Sequence, residues 1–100
     1  MIISITRFSL PRGIDLDHLR AGFYAAAPLF EDVPGLVRKH FLISDNGRTA
    51  GGVYVWEDRD AATSFLTRVL APLAFEKFGV EPTVEFFESP LTVESAIPVA

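Results

Sequence analysis

Apolar and polar positions recur with a period that switches between two and about 3.6 along this chain, and turn residues mark the switches. Ile2 to Phe8 is β-branched and aromatic and stops at the turn "LPRG", which predicts a strand. Asp15 is a good N-cap, with Ile14 and Leu19 spaced as a hydrophobic staple. The helix it opens is expected to reach about Ala27, where Pro28 stops it. Leu16, Leu19, Arg20, Phe23 and Ala27 share one face of that helix, with Tyr24 at its margin. "PLFEDVPG" reads as a connecting loop closed by a Pro-Gly turn.

Leu36 to Ser44 and Thr49 to Trp56 read as two strands around "SDNGRT". Asn46-Gly47 suits a type I′ turn, in which both central residues need positive φ; a four-residue loop from Asp45 to Arg48 gives the same pairing. Asp58 can cap a second helix whose stripe is Ala62, Phe65, Leu66, Val69 and Leu70. Pro72 is expected to bend that helix or to start a short one, "PLAFEKFG". Val80 to Glu88 is the last strand, and the tail "SPLTVESAIPVA" is apolar without a pattern.

The order β-α-β-β-α-β predicts an α+β, ferredoxin-like fold: a four-stranded antiparallel sheet with both helices on one face. The expected unit is one domain over residues 1–100, with 89–100 as a C-terminal tail. One sheet face is left bare, and a homodimer is the expected way to cover it.

The hairpin register sorts the side chains. Ser44 faces Thr49, so one face carries Val37, Lys39, Phe41 and Ile43 opposite Trp56, Tyr54, Gly52 and Ala50. The other carries Leu36, Arg38, His40 and Leu42 with Val55, Val53 and Gly51. The first face is aromatic and aliphatic apart from Lys39 and is assigned to the helices. The second, bearing Arg38, His40, Val53 and Val55, is assigned to the dimer. Gly52 lies across from Phe41, whose ring can cover its bare backbone, so a hollow is expected beneath the helices, lined by Tyr54 and Trp56 with Lys39 pointing in. The competing reading is a packed core in which small residues make room for large rings.

Composition narrows the chemistry. Nine Phe suit an aromatic core or an apolar cavity, and a net charge of −4 with scattered basic residues argues against a nucleic-acid partner. Without cysteine there is no disulfide, thiolate nucleophile or zinc-thiolate site. The opening "MIISITRF" does not read as a signal peptide, nor does any run reach membrane-span length, so a cytoplasmic protein is expected. His18 and His40 fall on different elements, which argues against a metal site. A lysine on a mostly buried face loses hydration, so its pKa is expected to fall unless an anion pairs with it. Two readings of Lys39 follow: a residue that binds or polarises an acidic or phenolic ligand, and a lysine whose stem packs while its amine reaches water or a nearby carboxylate.

"GLVRKHFLIS" followed by "TAGGVYVWEDRDAATSF" resembles the YdhR-like mono-oxygenase family of the dimeric α+β barrel superfamily. Pro34-Gly35, Lys39, Ala50-Gly51-Gly52 and Tyr54 carry the resemblance. It implies a ferredoxin-like protomer in a homodimer, with a small-molecule cavity between sheet and helices. Relatives in the wider superfamily include cofactor-independent mono-oxygenases that oxidise phenolic, polyketide-type substrates to quinones, the substrate itself supplying the electrons. By that resemblance Lys39 and Tyr54 are the catalytic candidates, and Phe41, Gly52, Trp56, Phe23 and Phe65 line the substrate site. Haem-degrading members carry an axial histidine on the second helix; none stands between Asp58 and Leu70 here, so haem is not expected and no cofactor is assigned. Three readings compete: a mono-oxygenase for a small aromatic substrate, a non-catalytic dimeric protein that binds or senses a small molecule, and a structural dimer whose cavity is only loose packing.

Overall fold

The chain is described by a computed structural model over residues 1–70, 72, 76 and 82–98. Four strands, β1 (Ile2–Ser9), β2 (Leu36–Ile43), β3 (Thr49–Trp56) and β4 (Thr83–Glu88), form one antiparallel sheet in the order β2-β3-β1-β4. Helix α1 (Leu16–Ala26) lies between β1 and β2 in sequence, and α2 (Arg59–Phe65) follows β3. This is the ferredoxin-like α+β fold expected from the element order. Among the described residues no helix is long and apolar enough to cross a membrane.

Both helices start where their caps dictate. The Asp15 carboxylate accepts hydrogen bonds from the backbone N–H groups of Asp17 and His18, and that of Asp58 accepts one from Ala61. The first α-helix ends at Ala26, just before Pro28 as expected, but the chain does not leave helical geometry there. The chain instead tightens into a 3₁₀ turn over Ala27–Phe30 with the proline in its first turn, where its missing N–H costs nothing. That turn places Phe30, read from sequence as part of a loop, among the core rings.

After Phe65 the chain widens into a π turn, Leu66–Leu70. Ala62, Phe65 and Leu66 are buried, whereas Val69 is largely exposed, because the wider turn rotates it off the stripe that an unbroken α-helix would keep. Pro72, whose ring would clash with the carbonyl four residues back, is consistent with that widening. Most of "PLAFEKFG", and Val80 and Glu81 of the expected last strand, lie outside the described residues. Residues 89–98 are exposed apart from Ser89.

The β2–β3 register agrees with expectation from Ile43↔Ala50 to Arg38↔Val55, including Phe41↔Gly52 and Lys39↔Tyr54. It departs at the end. A bulge between Leu36 and Arg38 pairs Leu36, not Val37, with Trp56. The extra residue turns Val37 outward and brings Leu36 against the core. The connecting loop also differs from a type I′ turn, since Gly47 alone has positive φ there (70°). Ser44 N–H donates to Thr49 O and Gly47 N–H to Ser44 O, which closes the four-residue loop Asp45–Arg48. The Asn46 side chain accepts hydrogen bonds from Ser44 Oγ and Arg48 N–H, holding the loop from within.

The core lies between the inner sheet face and α2: Tyr54, Trp56, Ala62, Phe65 and Leu66, with Phe30, Leu36 and Phe86 packed against it. Two polar residues of β1 belong to this inner face. Ser4 and Thr6 are buried at 0% and 2% exposure, so each needs a partner. Ser4 Oγ accepts a 2.9 Å hydrogen bond from the Trp56 indole N–H. Thr6 lies beside the Tyr54 hydroxyl and 3.5 Å from the Gly52 carbonyl.

Candidate functional site

The inner sheet face and α1 do not close on each other. Between them lies a cavity of about 510 Å³. Thr6, Phe8, Lys39, Phe41, Gly51 and Tyr54 line it from the sheet; Ile14, His18, Leu19, Gly22, Phe23 and Ala26 from α1 and its approach; Pro11, Phe30 and Leu70 complete the wall. The lining is apolar except for an amine, two hydroxyls and an imidazole.

Lys39 reaches this cavity because β2 alternates: Arg38 and His40 face away, and Lys39 shares the inner face with Phe41. Its Nζ lies 3.5 Å from the Phe30 ring centroid, 3.9 Å from Phe41 and 4.7 Å from Tyr54. Among the described residues no carboxylate pairs with it; the ion pairs there are Arg7–Glu85 and Arg20–Asp17. Burial therefore lowers the Lys39 pKa from 10.5 to about 7, and among the described residues ring faces are what stabilises the charged form. Near neutral pH the amine can accept a proton or keep one.

Tyr54, its cross-strand neighbour, is shifted the other way. Burial pushes the phenol well above its ordinary value of 10.0, and the Thr6 hydroxyl offsets this only in part. Tyr54 stays protonated across the physiological range and can donate a hydrogen bond but not remove a proton.

The other residues expected at the site separate into two groups. Phe23 and Phe41 stack at 4.8 Å across the α1–β2 boundary and line the cavity. Trp56 and Phe65 sit behind Tyr54 in the core rather than on the cavity wall; Trp56 stacks on Tyr54 at 5.7 Å, and Phe65 meets both rings. Trp56 shares the inner face with Tyr54 by the alternation of β3, and its indole N–H is held there by Ser4 Oγ.

The glycines have different neighbours from those expected. A β-carbon on Gly52 would come within 3.1 Å of Lys39 Cε and 3.2 Å of Tyr54 Cε1, so this glycine makes room for the lysine stem rather than for the Phe41 ring. A β-carbon on Gly51 would overlap the backbone carbonyl of Thr6, which marks a close approach of β1 and β3.

Sequence reasoning missed Thr6, Ile14, Leu19, His18 and Phe30 as cavity residues. Leu19 and Ile14 carried a signal, their staple spacing, which places them at the helix start over the sheet. Phe30 carried none, because nothing in "PLFEDVPG" shows that the chain tightens into a 3₁₀ turn.

Residues 7–88 match the family model described as "Putative mono-oxygenase ydhR". No curated protein matches the chain. Solved structures share its fold at low identity. The cofactor-independent oxygenase SnoaB of Streptomyces nogalater is 21% identical with a TM-score of 0.65, over 94% of this chain and 97% of that one. The monooxygenase of the ActVA-Orf6 gene of Streptomyces coelicolor, solved with nanaomycin D, is 14% identical with a TM-score of 0.69, over 95% and 92%. The heme-degrader MhuD of Mycobacterium tuberculosis, solved with two hemes in its active site, is 20% identical with a TM-score of 0.69, over 94% and 100%. The chain belongs to the ydhR family of mono-oxygenase-type proteins.

Proposed function

We propose that this member of the ydhR family is a cofactor-independent mono-oxygenase for a small aromatic, polyketide-like substrate bearing an acidic hydroxyl, bound in the cavity between sheet and α1. One observation carries the reading: the Lys39 amine lines an apolar cavity with no carboxylate partner among the described residues and a pKa of about 7. Such an amine takes the hydroxyl proton and, as an ammonium, pairs with the phenolate it creates. Tyr54, held protonated, supplies a hydrogen-bond donor to the same oxygen, and the Phe23–Phe41 pair offers a ring face.

The electron-rich phenolate then reduces dioxygen. One oxygen atom becomes the second carbonyl of a quinone at a ring carbon that carried hydrogen. The other leaves as water with the hydroxyl hydrogen and that ring hydrogen, so the substrate is the reductant and no cofactor enters the balance. Similarity in fold to a cofactor-independent oxygenase is in keeping with this chemistry.

A screen of small phenols and polyketide-like phenolic acids tests the reading, with binding followed by thermal shift and Trp56 fluorescence. Oxygen uptake is expected for at least one ligand, one dioxygen per quinone formed. Binding without uptake would favour a carrier or sensor. No binding at all would leave the cavity without a function.

The homodimer belongs to the same proposal. The outer sheet face carries Ile3, Ile5, Val53, Val55 and Leu42 with Phe87 at one edge and Arg38 and His40 at the other. Leu42 and Phe87 are 39% and 43% exposed, an apolar surface suited to a second copy. Light scattering is expected to give two chains for the native protein and one for Val53→Glu. A two-chain Val53→Glu protein would move the interface elsewhere.

A further inference from the structure

The Lys39 amine has a reactivity that oxygenation does not use. It lines a cavity roomy enough for a one- or two-ring aromatic molecule, with no ion-pair partner among the described residues. Phe30, Phe41 and Tyr54 flank its nitrogen at 3.5, 3.9 and 4.7 Å, and the side chain lines the cavity. Tyr54 and Thr6, whose side chains carry hydroxyls, are among the residues that line the same cavity. An amine, a proton donor and an apolar chamber are what condensation with a carbonyl requires.

We propose that Lys39 is a covalent capture site for aromatic aldehydes, which the cavity holds as imines. The Nζ lone pair attacks the carbonyl carbon, and the carbonyl oxygen takes a proton to give a carbinolamine. That oxygen then leaves as water with a proton from nitrogen, and the carbon–nitrogen double bond forms. Amine and aldehyde become imine and water, with no oxidant or reductant involved.

The surroundings favour each stage. Burial that brings the amine to about 7 leaves a substantial share of it uncharged at neutral pH, whereas an ordinary lysine is almost wholly protonated. Tyr54, which stays protonated, donates a hydrogen bond to the carbonyl oxygen and polarises it. The imine is uncharged and its aryl group lies among aromatic rings, so the dry side of the hydrolysis equilibrium is favoured. The capture rests on the same amine and cavity as the oxygenase reading, but it needs neither an acidic hydroxyl on the ligand nor dioxygen, so it can hold where oxygenation does not.

The chain has two lysines, Lys39 and Lys77, which makes the site easy to map. Native protein at neutral pH is treated with 2-naphthaldehyde and cyanoborohydride, and the reduced adducts are located by peptide mass spectrometry. Labelling at Lys39 is expected to be faster than at Lys77 by about tenfold or more, and the preference is expected to vanish in denaturing urea. Lys39→Arg, which keeps a cation at the position, is expected to remove the fast label. Labelling of Lys39 at or below the rate of Lys77 in the native protein would overturn the proposal, and so would a preference that survives unfolding.

Discussion

Replacing Lys39 with methionine is expected to raise the stability of the protein at neutral pH while weakening its affinity for a phenolic ligand. The two effects share one cause. Folding buries an amine that lacks a carboxylate partner among the described residues, which lowers its pKa from 10.5 to about 7. Methionine fills a similar volume without a charge, and ring faces suit its sulfur. The pKa difference sets an upper bound of about 5 kcal/mol, and residual contact with solvent reduces the expected gain to about 2–3 kcal/mol. The lost charge-assisted contact should cost a phenolate about 1.5–3 kcal/mol, or about ten- to a hundredfold in Kd.

The sign of the pH dependence follows from the direction of the shift. Below pH 7 the amine is charged in both states, and the folded protein carries the full penalty of burying it. Between about 7 and 10.5 the unfolded chain holds a proton that the folded one has released, so stability climbs with pH. Above 10.0 Tyr54 acts in the opposite sense: burial keeps it protonated when folded while the unfolded chain ionises, so stability falls. Melting temperatures are therefore expected to peak near pH 10, and Lys39→Met should flatten the rising limb. An unchanged limb in the variant would separate the amine from that dependence.

Gly51→Ala and Gly52→Ala are expected to fail in different ways, although they are adjacent on β3. A β-carbon on Gly51 meets backbone, the Thr6 carbonyl, and cannot be accommodated by a rotamer change. Relief requires parting β1 from β3 at the centre of the sheet, so a loss of at least about 3 kcal/mol is expected in urea unfolding. A β-carbon on Gly52 meets chiefly the Lys39 stem and the Tyr54 ring edge, with the His40 carbonyl at 3.2 Å. Here a side chain can give way, at about 1–3 kcal/mol, but the amine moves with it. Gly52→Ala should therefore lose ligand affinity out of proportion to its stability. Equal stability losses for the two variants would contradict the different neighbours assigned to these glycines.

The fold was legible because its elements announce themselves locally. Asp15 and Asp58 cap helices, the β2–β3 loop pins the register, and the two periods separate strand from helix. The site was half legible. Period-two alternation put Lys39, Phe41, Tyr54 and Gly52 on the inner face without any knowledge of the helices above them. The failures came where backbone irregularity changes direction. One bulged residue swapped Leu36 for Val37, a π turn rotated Val69 away from its stripe, and a 3₁₀ turn carried Phe30 into the ring cluster. In β1, isoleucines at 3 and 5 alternate with Ser4 and Thr6, a pattern that favours the polar pair facing solvent. The polar pair faces inward instead, because Trp56 and Tyr54 bring buried polar atoms that need partners. Such pairing across 50 residues of sequence leaves no local trace.

The central claim is that a partly uncharged amine lines an aromatic cavity, and it can be read directly. With only Lys39 and Lys77 in the chain, lysine labelled with carbon-13 at Cε gives two resonances, which Lys39→Met assigns. The account expects the Lys39 signal to titrate with a midpoint near 7 and to move to higher pH when a phenolic ligand binds. A midpoint near 10 in the free protein would show an ordinary solvated lysine, and the proposed chemistry at this cavity would fall with it.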